Sequence, residues 1–209
     1  MSDDGSTSSD ESTALEIDAD DHDGSLYRIL SSAVVPRPIA WVSTRSEDGV
    51  DNLAPYSFFT VASVDPPIVL FAPVDGAEGL KDTPRNARDT GEFVVNLVTE
   101  DLAEAMNETS ATLPPGESEF DHADLERADS AAVAPPRVAG AKAAFECTLH
   151  DLVDVGGSTL VLGEVRHVHL AESVTTDGKI DVTEVEAVGR LAGSLYTRTT
   201  DRFSLERPP

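Results

Sequence analysis

Ile39-Ala40-Trp41-Val42-Ser43-Thr44, then Arg45-Ser46-Glu47-Asp48-Gly49-Val50, then Asn52-Leu53-Ala54 is the stretch that decides the fold class of this chain. The first six residues are mostly β-branched or aromatic, the next six supply the polar residues and glycine of a turn, and the last three resume an apolar pattern. The stretch predicts a β-hairpin. Outward from it, further strand candidates are Phe58 to Ala62, Ile68 to Ala72, Phe93 to Val98, Ala144 to Val155, Thr159 to Leu170 and Ala187 to Leu191. Short strands at this spacing, broken by Gly and Pro, predict a mainly β protein built on a closed or partly open antiparallel barrel.

Two helices are expected at the periphery. In Lys81 to Arg88, Thr83 is the N-cap candidate and Pro84 fits the first helical position, where its missing N–H costs nothing; Gly91 ends the helix. Glu100 to Asn107 is the second, with Thr99 as cap and acidic residues in the first turn, where the helix dipole favours them. Residues 110–142 are rich in Ala, Pro and acid and read as a long surface excursion with one short helix around Asp124. Residues 1–25 carry nine acidic residues and no Lys or Arg, too little apolar surface to offset the entropy of ordering, and are expected to be a solvated tail. The domain proper is placed at 26–200, with 201–209 trailing off.

The 209 residues carry 39 Asp and Glu against 15 Lys and Arg, a formal net charge of -24. A field of that sign repels phosphate backbones and anionic lipid surfaces, which argues against nucleic-acid or membrane-surface binding by charge. Only three of the basic residues are Lys (Lys81, Lys142, Lys179), and Asp outnumbers Glu by 22 to 17. Carboxylate-rich, lysine-poor surfaces suit a protein that stays hydrated in concentrated salt, where a short Debye length screens self-repulsion, so a halophilic cytoplasm is expected. Cys147 is the single cysteine, which excludes an intrachain disulfide and a cysteine-based metal cage. The N-terminus has neither the basic start nor the apolar run of a secretory signal, and no apolar stretch approaches the ~20 residues of a membrane-spanning helix.

Nucleotide-binding signatures of the GxxxxGK[ST] and GxGxxG types are absent, as is GxSxG. His167 and His169 share one face of a strand candidate, but no third ligand stands at a recognisable spacing, so a solvated face is the better reading and no metal is assigned. What stands out is the concentration of Pro, aromatic and small polar residues in Val35 to Thr44, Asn52 to Phe59 and Ser63 to Pro67. Such a mixture suits a planar heterocycle with a polar rim; the alternative is a strand pair whose aromatics fill the core. Charge bears on the choice. Residues 28–88 contain six basic and seven acidic residues, a net of -1, so the other 148 residues carry -23. The one spared segment also holds a helix start at Thr83 and Pro84, whose free N–H groups could face an anion. A phosphorylated aromatic cofactor fits.

At these residues the chain resembles the flavin reductase-like, FMN-binding split-barrel family, in the branch that includes flavoredoxin. The resemblance is carried, in order, by Pro36 to Thr44, Asn52 to Phe59, Asp65-Pro66-Pro67, Lys81-Asp82-Thr83, Thr90 to Leu97, and a closing Gly189-Arg190-Leu191-Ala192-Gly193-Ser194-Leu195-Tyr196 similar to the family's last core strand. It implies a six-stranded antiparallel Greek-key split β-barrel with a few peripheral helices, a homodimer, and FMN near the subunit interface. It also implies that Asn52, Leu53, Ala54, Ser57, Phe58 and Phe59 border the flavin ring, that Trp41, Ser43 and Thr44 line its ribityl and phosphate side, and that Lys81, Thr83 and Asn86 hold the phosphate. Arg37 and Tyr196 are further implied contacts. The implied activity is an FMN-dependent oxidoreductase that uses NADH or NADPH to reduce flavin or a small acceptor, with no side chain required as acid or base. The alternative is a flavoredoxin-like electron carrier that works with protein partners.

Overall fold

The computed structural model describes residues 14–20, 25–76 and 79–208. Of the expected acidic tail, residues 14–20 are exposed and form no helix or strand; residues 1–13 and 21–24 lie outside the described residues. After helix α1 (Tyr27–Ala33) come the strands β1 (Ala40–Arg45), β2 (Asp51–Tyr56), β3 (Phe59–Val64) and β4 (Pro67–Phe71), helix α2 (Asp82–Thr90) and strand β5 (Glu92–Leu97). A 3₁₀ turn at Glu100–Leu102 leads into α3 (Ala103–Glu108), then α4 (Glu119–His122) and the two-residue strands β6 (Arg127–Ala128) and β7 (Arg137–Val138). The long strands β8 (Ala143–Asp154) and β9 (Thr159–Leu170) follow, then the short β10 (Thr175–Thr176), β11 (Lys179–Ile180), β12 (Val188–Arg190) and β13 (Tyr196–Arg198).

Seven strands form one antiparallel sheet in the order β2-β1-β5-β8-β9-β4-β3. β2 and β3 are its opposite edges, yet only Ser57 and Phe58 separate them in the chain. Three Cα–Cα steps reach at most about 11 Å. Seven flat strands about 4.8 Å apart would put those edges about 29 Å from each other. The sheet therefore curls until its edges come close, and the gap between them makes the barrel a split one. The predicted hairpin is the β1–β2 pair, in register from Ala40 opposite Tyr56 to Arg45 opposite Asp51. Its turn is closed by Ser46 N–H to Val50 O at 2.9 Å, with Gly49 at a φ of 85° that favours glycine.

β1 is buried on both faces, which explains its unbroken apolar reading. Ala40 and Val42 point into the barrel with Val69, Phe71, Phe93, Val95, Cys147 and Val161. Ile39 and Trp41 point outward into a second core with Leu53, Val98, Met106, Phe120, Val138 and Val188. The second core corrects the expectation for residues 110–142. The segment lies over β1, its Phe120 and Val138 are sealed from solvent, and its helix is α4, just before Asp124. It is pinned from the other side by the buried Glu146 of β8, which accepts the N–H groups of Ala131 at 2.7 Å and Ala132 at 2.5 Å and contacts His169. Burial opposes the charge of Glu146, but these donors outweigh it and hold its carboxyl below the ordinary range.

Other differences are local. The first expected helix has Lys81 rather than Thr83 as its N-cap and begins at Asp82, and the Thr83 hydroxyl binds Asn52 of strand β2 instead. The second divides into the 3₁₀ turn and α3. Val188–Arg190 pairs with β13 instead of joining the large sheet, although Arg190 bridges to Arg37 at the rim. Helix α1 has no counterpart in the sequence reading.

Gly163 in the middle of β9 is required by packing. A Cβ there would fall on the Phe93 ring and lie 3.0 Å from the Cβ of Cys147. Gly163→Ala is expected to destabilise the fold by about 1–3 kcal/mol in urea melts at fixed KCl. Gly157→Ala, where an added methyl group meets nothing within 4 Å, is expected to stay within about 0.5 kcal/mol.

Candidate functional site

The open edge of β2 is the foundation of the site. The N–H of Leu53 points away from β1, since it is bound by Glu119 Oε2 at 2.9 Å. By the alternation of strand backbone, the carbonyls of Leu53 and Pro55 face the same side, and Pro55 stands where a missing N–H breaks no sheet bond. Helix α2 packs beside this edge through a buried polar network. Asn52 Oδ1 accepts the hydroxyls of Thr83 at 2.6 Å and Thr44 at 3.3 Å, the Asn86 amide donates to Thr44 Oγ1 at 3.1 Å, and the Asn52 amide donates to Glu119 Oε2 at 2.9 Å. Among the described residues, no buried side-chain nitrogen or oxygen lacks a partner.

Two grooves flank this edge. The first, about 530 Å³, is lined by Asn52, Ala54, Pro55, Lys81, Thr83 and Glu119 among others. The second, about 800 Å³, is lined by Arg28, Arg37, Pro55, Ser57, Arg190 and Tyr196 among others. Pro55 and Ser110 belong to both, so the grooves meet at the end of β2.

The structure thus brings Asn52, Ala54, Lys81 and Thr83 together in the first groove and Arg37, Ser57 and Tyr196 in the second, while Asn86 borders a smaller recess beside the first. Trp41, Ser43, Thr44 and Leu53 are fully buried. Trp41 reaches the groove wall only through its indole N–H, which donates to Thr109 Oγ1 at 2.9 Å. Ser43 donates to Pro136 O at 2.5 Å and fixes the covering segment instead. Phe58 stands edge-on to Tyr27 at 6.2 Å and beneath Arg37 at 5.6 Å, and Phe59 packs on the barrel core. Arg37 is only 7% exposed. Its guanidinium donates to the carbonyls of Ser31, Val34 at 2.8 Å and Leu191 at 2.7 Å and to Ser57 Oγ at 3.4 Å, closing the C-terminal end of α1.

Glu119 was not among the expected site residues. It lies in the acid- and Ala-rich stretch that has no periodicity, and its only local signal is the pairing of an acid with Phe120 after Ser118. Burial pushes its carboxyl above the ordinary range, and Asp82 adds to the rise, against the donors from Leu53 and Asn52. Glu119→Ala leaves both donors without an acceptor and is expected to cost about 1–3 kcal/mol, whereas Glu119→Gln keeps an oxygen there and is expected to be close to neutral. The raised value means that protonated Glu119 favours the fold below its unfolded-state value and that this advantage is lost as pH rises through the folded-state value. Between about pH 4 and about pH 7, urea melts should shift in favour of the Gln variant over the natural protein.

Comparison with known proteins gives a family match over residues 31–185, to the flavin reductase like domain. A protein of Bacillus subtilis is 42% identical over 191 residues, covering 87% of this chain and 93% of its own length. Nitrilotriacetate monooxygenase component B from Bacillus cereus superposes with a TM-score of 0.89 at 34% identity, over 92% of this chain and 99% of that one. The 2-nitrobenzoate 2-nitroreductase of Pseudomonas fluorescens gives 0.80, also at 34% identity, over 87% and 90%.

Proposed function

The chain belongs to the flavin reductase like domain family, and from the grooves beside β2 we infer that it is an FMN-binding oxidoreductase that uses NADH or NADPH to reduce flavin or a small acceptor. The observation that carries this reading is the meeting of Lys81, the start of α2 and the open edge of β2 in one groove. Lys81 makes no ion pair among the described residues. It is the N-cap of a nine-residue helix whose Asp82 and Thr83 N–H groups are free of intrahelical bonds, a combination that suits a phosphate. Thr83 and Asn86 spend their side chains on the network and would act by holding that helix start against β2.

Toward Pro55 the groove offers the outward carbonyl of that residue, an acceptor for the N–H at the polar rim of a flavin ring, and beyond it Ser57 and Phe58. When bound, FMN supplies a ring that takes a hydride from a reduced nicotinamide and passes electrons on. The chain's own part is to bind, orient and shape access. The 34% identity to a nitroreductase supports a small molecule as acceptor. We read the carboxylate-rich shell as adaptation to salt in a cytoplasm, and the exposed apolar Val34 and Leu195 beside the second groove as part of a homodimer contact. No described helix is long and apolar enough to cross a membrane.

The test is to purify the protein in concentrated KCl, add FMN, and follow the flavin spectrum on anaerobic addition of NADH or NADPH. Bleaching is the expected result. Failure to bind FMN would overturn the reading, and a yellow protein that only dithionite bleaches would overturn its nicotinamide half and leave an electron carrier. Lys81→Ala is expected to weaken FMN binding about ten- to hundredfold, the worth of a charge-assisted hydrogen bond to phosphate, with an unchanged melting temperature. Unchanged affinity would remove Lys81 from the phosphate site.

A further inference from the structure

The second groove is distinguished by what its walls lack. Carboxylates outnumber basic residues 39 to 15 in this chain, so a cluster of guanidinium groups with no carboxylate among them stands out. Arg45, Arg85, Arg88, Arg127, Arg166 and Arg198 all have ion-pair partners. The other six arginines have none among the described residues; Arg137, Arg202 and Arg207 lie elsewhere, whereas Arg28, Arg37 and Arg190 all line this one groove. Among the described residues, no Asp or Glu lines it. Both neighbouring hollows mix signs by contrast: Asp82 and Glu119 stand with Lys81 and Arg85 in the first groove, and Glu100, Glu104 and Glu108 with Arg190 and Arg198 in the recess beside α3.

Arg37 sharpens the point. A buried charge is ordinarily matched by an opposite one, because burial without compensation is costly. Its guanidinium is held by carbonyl and hydroxyl dipoles that satisfy its N–H groups but leave its full charge in place. The two companions keep donors available. The guanidinium of Arg28 has no hydrogen-bond partner among the described residues, and Arg190, stacked on Tyr196 at 4.5 Å, binds Tyr196 and the Gly193 carbonyl with its two terminal nitrogens and leaves Nε unspent. Between these charges the walls include Pro55, Leu191 and the rings of Tyr27 and Tyr196, surfaces that favour a flat apolar body.

We propose that this groove is a binding site for an organic anion with a flat ring, of the benzoate class, whose carboxylate meets Arg28 and Arg190 in the field of Arg37. The site adjoins the proposed flavin position, since the grooves meet at Pro55, but it does not share the proposed phosphate position, which is in the first groove with Lys81. The experiment is calorimetric titration of the FMN-free protein with benzoate and with its neutral isostere benzamide, at one fixed KCl concentration, with FMN affinity measured separately. Benzoate is expected to saturate and benzamide to bind at least tenfold more weakly. Arg28→Gln is expected to weaken benzoate at least threefold, and Arg28→Gln with Arg190→Gln at least tenfold, with FMN affinity within twofold of the natural protein. Because Arg190 also holds Tyr196, the single Arg28→Gln variant, at an exposed position, carries the test if the double variant does not fold. Equal binding of benzoate and benzamide, or unchanged benzoate binding in Arg28→Gln, overturns the site. ADP-ribose or inorganic phosphate binding where benzoate does not would assign the groove to a phosphoryl group and overturn the proposal. A large loss of FMN affinity in Arg28→Gln with none in Lys81→Ala would place the flavin phosphate here and overturn it as well.

Discussion

Ser57 and Phe58 join the two edges of one seven-stranded sheet, and that closure is the constraint from which the rest follows. A two-residue link between strands at opposite ends of the sheet order forces the sheet to curl, and the incomplete closure leaves β2 with an unpaired backbone edge. An exposed edge is a liability unless it is covered or used. Here Glu119 takes the N–H of Leu53, α2 is laid alongside through Thr83 and Asn52, and the end of the edge at Pro55 is left open to both grooves. Arg37 reinforces the same seam by donating to Ser57 while lying over Phe58. The closure of the barrel and the location of the site are one structural fact.

The strands were legible because their reading depends on residues within one strand. β9 spans Thr159 to Leu170 as the sequence predicts, and β1, β4, β5 and β8 shift by a residue or so at their ends. The helices were less so, because tertiary partners decided their ends. Thr83 has the right chemistry for an N-cap, but a buried Asn52 oxygen gives its hydroxyl a better partner, and the cap moved to Lys81. Helix α1 is short and carries no amphipathic pattern. Arg37, beyond its end, helps to hold it by binding the carbonyls of Ser31 and Val34.

The site was legible in outline and opaque in division of labour. Residue types in Asn52 to Phe59 and Lys81 to Asn86 located the groove, since small polar and aromatic residues beside a helix start are what a polar-rimmed ring and a phosphate need. Which of them face the groove was set by strand alternation and by the covering segment. Trp41 and Ser43 share the face of β1 that residues 110–142 bury, so both became supports for the wall rather than surfaces of it. Glu119 escaped notice because its role depends on a contact 66 residues away, with Leu53. No local spacing encodes such a contact.

The near-neutral stretch 28–88 in a chain of net charge -24 takes a definite form in three dimensions. Of its six basic residues, Arg45, Arg85 and Arg88 are paired with Asp51, Asp82 and Asp89; the last two pairs are exposed and contribute little beyond local geometry, while Asp51 is buried and shared with Arg127. The other three, Arg28, Arg37 and Lys81, have no ion-pair partner among the described residues, and each lines one of the two grooves that meet at Pro55. Sparing a segment from acid therefore did more than balance a sum. It left three cations at the seam of the barrel without an ion-pair partner among the described residues, in a protein whose acidic shell repels anions. Local charge at the seam, opposite in sign to the shell around it, offsets that repulsion where the two grooves meet.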